Sequence, residues 1–356
     1  MPVADLQIEI LTSSERWSEF ARTMPDGCWA PRLAGHCGEW IKSLEDGFSH
    51  PIYLLRALDS NALDSAATVG LLPLVLVRGP VFGKFLVSLP YLNTGGVWGL
   101  TPAVASKLVD AACDLADQLD VKYLELRGEQ SLENPKFNFQ RTEKVHMRLA
   151  LPDTAQAFNK SLKSKVRSQV KKADEHELAF EFGGVEKLDD FYRVFARNMR
   201  DLGTPVFSKK LFAAIIKHFD GNAEFCVVRK SGLAIAAGLI THVRGVSEVP
   251  SASSLREFNR TNANMLMYQR MIHRAIERGS SAFDFGRSSQ GSGTYRFKAQ
   301  WGAQPHPAIW QYYVRKGDPD SMRPDSDGKK TLVQAWQKLP VWLTRVIGPA
   351  IVRGIP

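Results

Sequence analysis

The sequence predicts an α/β protein of two similar units, each a mixed sheet flanked by helices, and three observations carry that expectation. Its 356 residues are more than one ordinary core holds. A hydrophobic content of 44% with 23% charged residues is the composition of a folded globular chain. A helix, a turn and a strand holding one acid recur about half a chain apart, with Glu125 in one copy and Asp284 in the other. We therefore expect a first domain over 1–150, a second over 151–316, and a linker with an amphipathic tail over 317–356.

Each element has a local reason. Ser13, Ser14 and Glu15 before Trp17 supply capping groups for a helix, and residues 37–45 read as another. Strands are expected at 52–57, 68–77 and 85–89, the last two parted by the turn Arg78, Gly79, Pro80. Pro102 in the first turn starts a helix that runs to about Leu119, and a strand over 122–127 follows. The second half repeats this order with strands at 224–229 and 234–242, a helix from Ala263 to Arg278 stopped by Gly279, and a strand at 282–285.

Between the halves, residues 158–173 read as one helix. Phe158, Leu162, Val166, Val170 and Ala173 share a face, while Lys160, Lys163, Arg167 and Lys171 form an adjoining stripe without an acid. Stacked like charges repel, so this stripe either faces a phosphate-bearing ligand or stays a solvated face. Residues 1–150 hold 14 Lys/Arg against 18 Asp/Glu, a net −4, whereas residues 151–356 hold 32 against 19, a net +13. An anionic partner should therefore meet the second half.

Residues 317–328 read as a polar linker. From Lys329 to Pro356 there is no acid, and Trp336 and Trp342 interleave with Lys338, Arg345 and Arg353. Pro340 and Pro349 divide this tail into pieces too short to span a bilayer, so it either lies on an anionic membrane face or packs on the body of the protein. The N-terminus lacks a basic region followed by an apolar run, and Cys28, Cys37, Cys113 and Cys226 are widely spaced. A cytoplasmic protein is expected, with no disulfide framework, zinc site or cofactor, and with the inner membrane face as one place for the tail.

The candidate chemistry lies just past the strand at 282–285. The loop Gly286, Arg287, Ser288 leads into Tyr295, Arg296, Phe297, Lys298, Ala299, Gln300, Trp301. An ammonium between Phe297 and Trp301 has two readings: its stem covers Trp301 while its head stays in water, or it sits partly dehydrated where it can stabilise an oxyanion. HExxH, GxSxG, Walker and GxGxxG patterns are missing, and the histidines, His242 and His273 among them, lack metal-ligand spacing. Arg260 to Asn264 could place backbone N–H groups against a pyrophosphate, although capping by Asn262 explains the same residues.

The basic stretch, the loop Thr204, Pro205, Val206, Phe207, Ser208 and the run Gly286 to Gly302 together resemble the FemAB family. The resemblance is narrower still to FemAB-related proteins associated with exosortase/PEP-CTERM and exopolysaccharide systems, and it extends to Val69–Leu74, Leu86–Tyr91, Gly95 and Gly96 in the first half. It implies two tandem acetyltransferase-like (GNAT) domains and transfer of an amino acid from aminoacyl-tRNA to an amine of an envelope precursor. Phe297 and Lys298 match the family's Phe-Lys pair, with Lys298 implied to neutralise charge at the aminoacyl ester. Lys163, Arg167, Lys171, Thr204, Arg287, Ser288, Tyr295 and Trp301 are implied to bind substrate. This chain has no long heptad run and a different Thr204–Phe207 loop, which leaves the acceptor open to an exopolysaccharide-linked amino sugar or a small amine. An acyl-CoA donor and a non-catalytic, membrane-docked scaffold are the alternative functions.

Overall fold

The computed structural model describes residues 6–24, 28–29, 32–59, 67–80, 82–322 and 330–356. Its contacts divide the chain into two units: residues 1–143, 307–326 and 351–356 in the first, 144–306 and 327–350 in the second.

In the first unit the chain runs through β1 (Leu6–Leu11), α1 (Trp17–Thr23), α2 (Gly38–Phe48), β2 (Ile52–Asp59), β3 (Ala67–Gly79), β4 (Gly83–Val87), β5 (Trp98–Gly99), α3 (Pro102–Gln118), β6 (Tyr123–Gly128) and β7 (Phe139–Arg141). Thr101 caps α3 by accepting the Val104 amide proton, and Pro102 occupies the first turn, where no N–H is needed. The apolar face of α3 (Leu108, Val109, Ala112, Cys113, Ala116) then packs with Leu72, Leu74, Leu86 and Leu124 in one buried cluster. β4 and β6 run parallel, but their register holds only Leu86 with Leu124 and Val87 with Glu125. Beyond that point the chain fills the gap itself. Ser88 Oγ accepts the Arg127 amide proton, and the Gly95 and Gly96 amides donate to the Arg127 carbonyl. The Arg127 guanidinium donates to Glu125 (2.5 Å) and to the Leu92 carbonyl (2.8 Å), with the Trp310 ring 4.2 Å away.

The second unit is built from β8 (Lys144–Ala150), α4 (Ala155–Ser161), α5 (Ser164–Asp174), β9 (Ala179–Gly183), α6 (Leu188–Leu202), α7 (Lys209–Phe219), β10 (Ala223–Lys230), β11 (Leu233–Val243), β12 (Val246–Ser254), α8 (Ala263–Glu277), β13 (Ala282–Ser289), α9 (Gly293–Gln300) and β14 (Gln304–Pro307). β15 (Ile309–Val314) returns to the first sheet, and α10 (Lys330–Lys338) and α11 (Val341–Val352) follow. The strand orders, among the described residues, are β1-β2-β3-β4-β6-β15-β7, with β5 beside β3, and β14-β8-β13-β12-β11-β10-β9. Each unit is thus a mixed sheet flanked by helices with one short parallel pair near its middle.

Three expectations change. The boundaries at 150 and 316 move because Lys144–Ala150 pairs with β13, while Ile309–Val314 pairs with β6 and β7 in the first sheet. The helix expected over 158–173 is two helices, since Leu162 (ψ 138°) and Lys163 (ψ 148°) are extended. The break keeps Phe158, Leu162, Val166, Val170 and Ala173 all in the core, so burial of the apolar residues decides the geometry over helix continuity. The strand at 282–285 continues to Ser289, because β8 supplies the ladder that local sequence does not reveal. Residues 323–328, half of the expected linker, lie outside the described residues, as does Lys329. Among the described residues no helix is long and apolar enough to cross a membrane.

The Glu125–Arg127 pair is almost wholly buried, so either charge alone is costly. Arg127→Met should lower unfolding free energy in urea by about 3–5 kcal/mol, and adding Glu125→Gln should recover part of that loss.

Candidate active site

The site forms where β12 and β13 part. Their parallel register covers Val246 with Ala282, Ser247 with Phe283 and Glu248 with Asp284. Past Asp284, β12 stays paired to β11 and β13 to β8, and the β13–β8 register shifts between Asp284 and Arg287. Gly286 takes φ +75°, a conformation open to glycine at little cost, and its amide donates to Asp284 Oδ1 at 2.7 Å. Asp284 Oδ2 accepts from Arg148 Nε on β8 at 2.8 Å.

This bulge turns carbonyls out of the ladder, and α9 supplies their partner. Ser292 caps α9 by accepting the Tyr295 amide proton, which sets the helix so that Lys298 points back at β13. Lys298 Nζ donates to the Gly286 carbonyl and the Arg287 carbonyl, each at 3.0 Å. The side chain is 8% exposed. Burial pushes its pKa down to about 8, Asp284 opposes that shift, and the nearby Arg287 charge adds to it. The ammonium therefore stays mainly protonated at neutral pH, and two of its three N–H groups are engaged by carbonyls.

The flanking aromatics pack on the protein instead of forming a cage for the cation. Phe297 meets Tyr268 edge-on at 5.1 Å, and Tyr268 stacks on Phe285 at 5.5 Å. Trp301 is 3% exposed and stacks on Phe158 of α4 at 6.4 Å. The first reading of Lys298 thus changes: its head is not in water but is buried against two backbone carbonyls.

The other sequence-derived residues fall in two groups. Arg287 and Ser288 follow the bulge on β13, opposite His146 and Val145, and Tyr295 packs partly buried at the start of α9. Ser288 Oγ is buried and has no hydrogen-bond partner. Lys163, which precedes α5, and Arg167 and Lys171 on it are exposed, the inner face of α5 packs on α8, and none of the three forms an ion pair among the described residues. Thr204 follows Gly203 at the end of α6, where Gly203 meets Val333, and the contacts around the bulge do not include it. His242 is buried between Ser247 Oγ (2.7 Å) and Glu224 (3.2 Å), and His273 bonds Asn159 at 2.9 Å. Sequence reasoning missed Arg148 and Tyr268; alternation along residues 144–150 and the apolar face of residues 263–278 were the available signals.

A cavity of about 200 Å³ opens at the N-terminus of α8, lined by Ser254, Asn259, Asn262, Asn264 and Met265 among others. Met265 links it to the Lys298 helix, since its sulfur accepts from Gln300 Nε2 at 3.8 Å.

Residues 160–299 match the model of an acetyltransferase (GNAT) domain. Among solved structures, the chain is similar to a crystal structure of FemX (14% identity, TM-score 0.61, covering 93% of this chain and 100% of that one). It is also similar to the C-terminal domain of a putative lysylphosphatidylglycerol synthetase from Agrobacterium fabrum (11%, 0.54, 85% and 93%). A third likeness is to a tandem GNAT protein from the clavulanic acid biosynthesis pathway (11%, 0.53, 87% and 100%). No curated protein matches the sequence. These likenesses show a GNAT-like fold, and with the domain match they support an acyltransferase.

A buried lysine with a lowered pKa leaves a signature in stability. From pH 8 to the ordinary lysine range the unfolded chain holds a proton that the folded chain has released, so stability should rise with pH across that window. Urea unfolding of the wild type should gain up to about 3 kcal/mol over that window, and Lys298→Met should lack the gain.

Proposed function

We propose that this protein is a FemAB-type aminoacyl or acyl transferase that acylates an amine on a cell-envelope or exopolysaccharide precursor, acting in the cytoplasm. The observation that carries the reading is the Lys298 ammonium, fixed by two carbonyls where the parallel strands separate. A cation held in place by backbone geometry costs no reorganisation when negative charge develops. In the reaction the acceptor nitrogen attacks the carbonyl carbon of an aminoacyl ester. A C–N bond forms, the C–O bond breaks, and the departing hydroxyl takes the proton from nitrogen. Lys298 stabilises the transient oxyanion through its remaining N–H, and Phe297 holds α9 against Tyr268. Arg287, Ser288 and Tyr295 bind substrate around the bulge, with Trp301 supporting α9 from the core. Lys163, Arg167, Lys171 and Thr204 belong to the donor's wider footprint. The likenesses to FemX and to a lysylphosphatidylglycerol synthetase domain favour aminoacyl-tRNA as donor, and the PEP-CTERM association inferred from sequence favours an exopolysaccharide amine as acceptor.

One feature favours a second reading. The cavity at the N-terminus of α8 is lined by three asparagines at the positive end of a helix, which suits the pyrophosphate of acyl-CoA. Calorimetry on the purified protein separates the donors: binding of aminoacyl-tRNA without binding of CoA supports the first reading, and the reverse supports the second.

Lys298→Met should lower kcat by about 10²- to 10³-fold with little change in donor affinity. A loss confined to KM would remove Lys298 from the chemistry. If α5 meets tRNA, donor affinity should fall steeply with salt, and Arg167→Ala should reduce the logarithmic slope by about one.

A further inference from the structure

The last helix of the second unit is packed on one face and carries exposed apolar side chains on the opposite one. Thr344 is 1% exposed, and a Cβ on Gly348 would stand 2.9 Å from both Val206 N and Val206 Cγ1. That face of α11 therefore lies directly on the Val206 backbone. On the opposite face Trp342 is 66% exposed and Val346 67% exposed, and Pro349 continues the stripe. Together with Tyr192 and Ser208 they line an open groove of about 400 Å³, at whose edge stand Lys209 and Arg345. Leu332 on α10 is a further apolar side chain, 68% exposed.

Charge says what covers this face. Residues 330–356 contain no acid, and Lys338 and Arg345 are exposed. Arg345 lies 5.2 Å over the Tyr192 ring and pairs with no carboxylate among the described residues. The acid at the groove is Asp189, which is bonded to Lys209; Arg193, half exposed, pairs with Asp190. An exposed Trp and Val beside Arg345, which has no carboxylate partner among the described residues, matches a surface that is apolar below and anionic above. A second copy of the chain fits poorly, because a two-fold contact through this patch brings the same cations together.

We propose that the α11 face docks on an anionic phospholipid bilayer. Trp342 and Val346 enter the boundary between headgroups and acyl chains, and Arg345 and Lys338 meet lipid phosphates. The helix lies in the plane of the surface, since its 12 residues cannot span the bilayer. The inference is independent of the acyl-transfer reading, because its readout is binding alone.

The test is co-sedimentation of the full chain with vesicles of phosphatidylcholine alone and of phosphatidylcholine mixed with phosphatidylglycerol, at low and high salt. We expect binding to the mixed vesicles that weakens with salt, and little binding to phosphatidylcholine alone. Trp342→Ser with Val346→Ser should lower vesicle affinity about tenfold or more, and Arg345→Gln about fivefold, with thermal unfolding midpoints unchanged at these exposed positions. Equal binding to both vesicle types, no binding, or full binding by the serine variant overturns the proposal. Self-association of the free chain that Trp342→Ser abolishes also overturns it, in favour of a contact between copies.

Discussion

The second unit turns on the bond between one ammonium and two backbone carbonyls. A sheet that parts one of its strand pairs frees backbone groups, and buried carbonyls without donors are costly. Gly286 makes the bulge possible through its positive φ, Asp284 fixes it by accepting the Gly286 amide proton, and Arg148 holds Asp284 from the neighbouring strand. Lys298 then satisfies the carbonyls of Gly286 and Arg287. Folding itself thus brings a dehydrated cation to the bulge in β13, with a charge that burial makes easier to lose. The arrangement serves stability and supplies a positioned charge at once, so removing the lysine tests both.

The first unit shows what the same strand plan looks like when it is closed. Its parallel pair is also short, two register positions against three, and ends at Val87 and Glu125. There the chain from Ser88 to Gly96 folds over the end of β6, and Arg127 answers Glu125 two residues along the same strand. Leu89 and Tyr91 adopt positive φ to make that closure, a strain that non-glycine residues accept only where surrounding contacts enforce it. In the second unit, among the described residues, no comparable backbone loop donates to the Gly286 and Arg287 carbonyls; a side chain on α9 does so. A long, mobile side chain can share its protons with a ligand in a way a backbone amide cannot, which is why we place the chemistry there.

Much of this was legible in the sequence. Local signals located α3 through Pro102 and α8 through its periodic apolar residues and Gly279, and the repeated helix-turn-strand pattern anticipated paired units of one kind. The apolar stripe of residues 158–173 was identified residue for residue, yet its division into two helices was not, because the extended backbone at Leu162 and Lys163 satisfies core packing and no local rule. β15 and β8 escaped assignment to the right sheet since strand partners are chosen across more than a hundred residues. Lys298 was found from its aromatic neighbours, although its true partners are carbonyls, which every sequence carries and none displays. Alternation along residues 144–150 could have placed Arg148 on a strand face, but its role exists only through the register that sets it opposite Asp284.

The central claim is that Lys298 acts through its charge, and the pH dependence of single-turnover transfer tests it most directly. If the ammonium stabilises the oxyanion, the wild-type rate measured against Lys298→Arg, which keeps its charge, should fall as pH rises through about 8. A ratio that stays constant from pH 7 to 10 would contradict the account, and would return Lys298 to the purely structural duty of closing the β13 bulge.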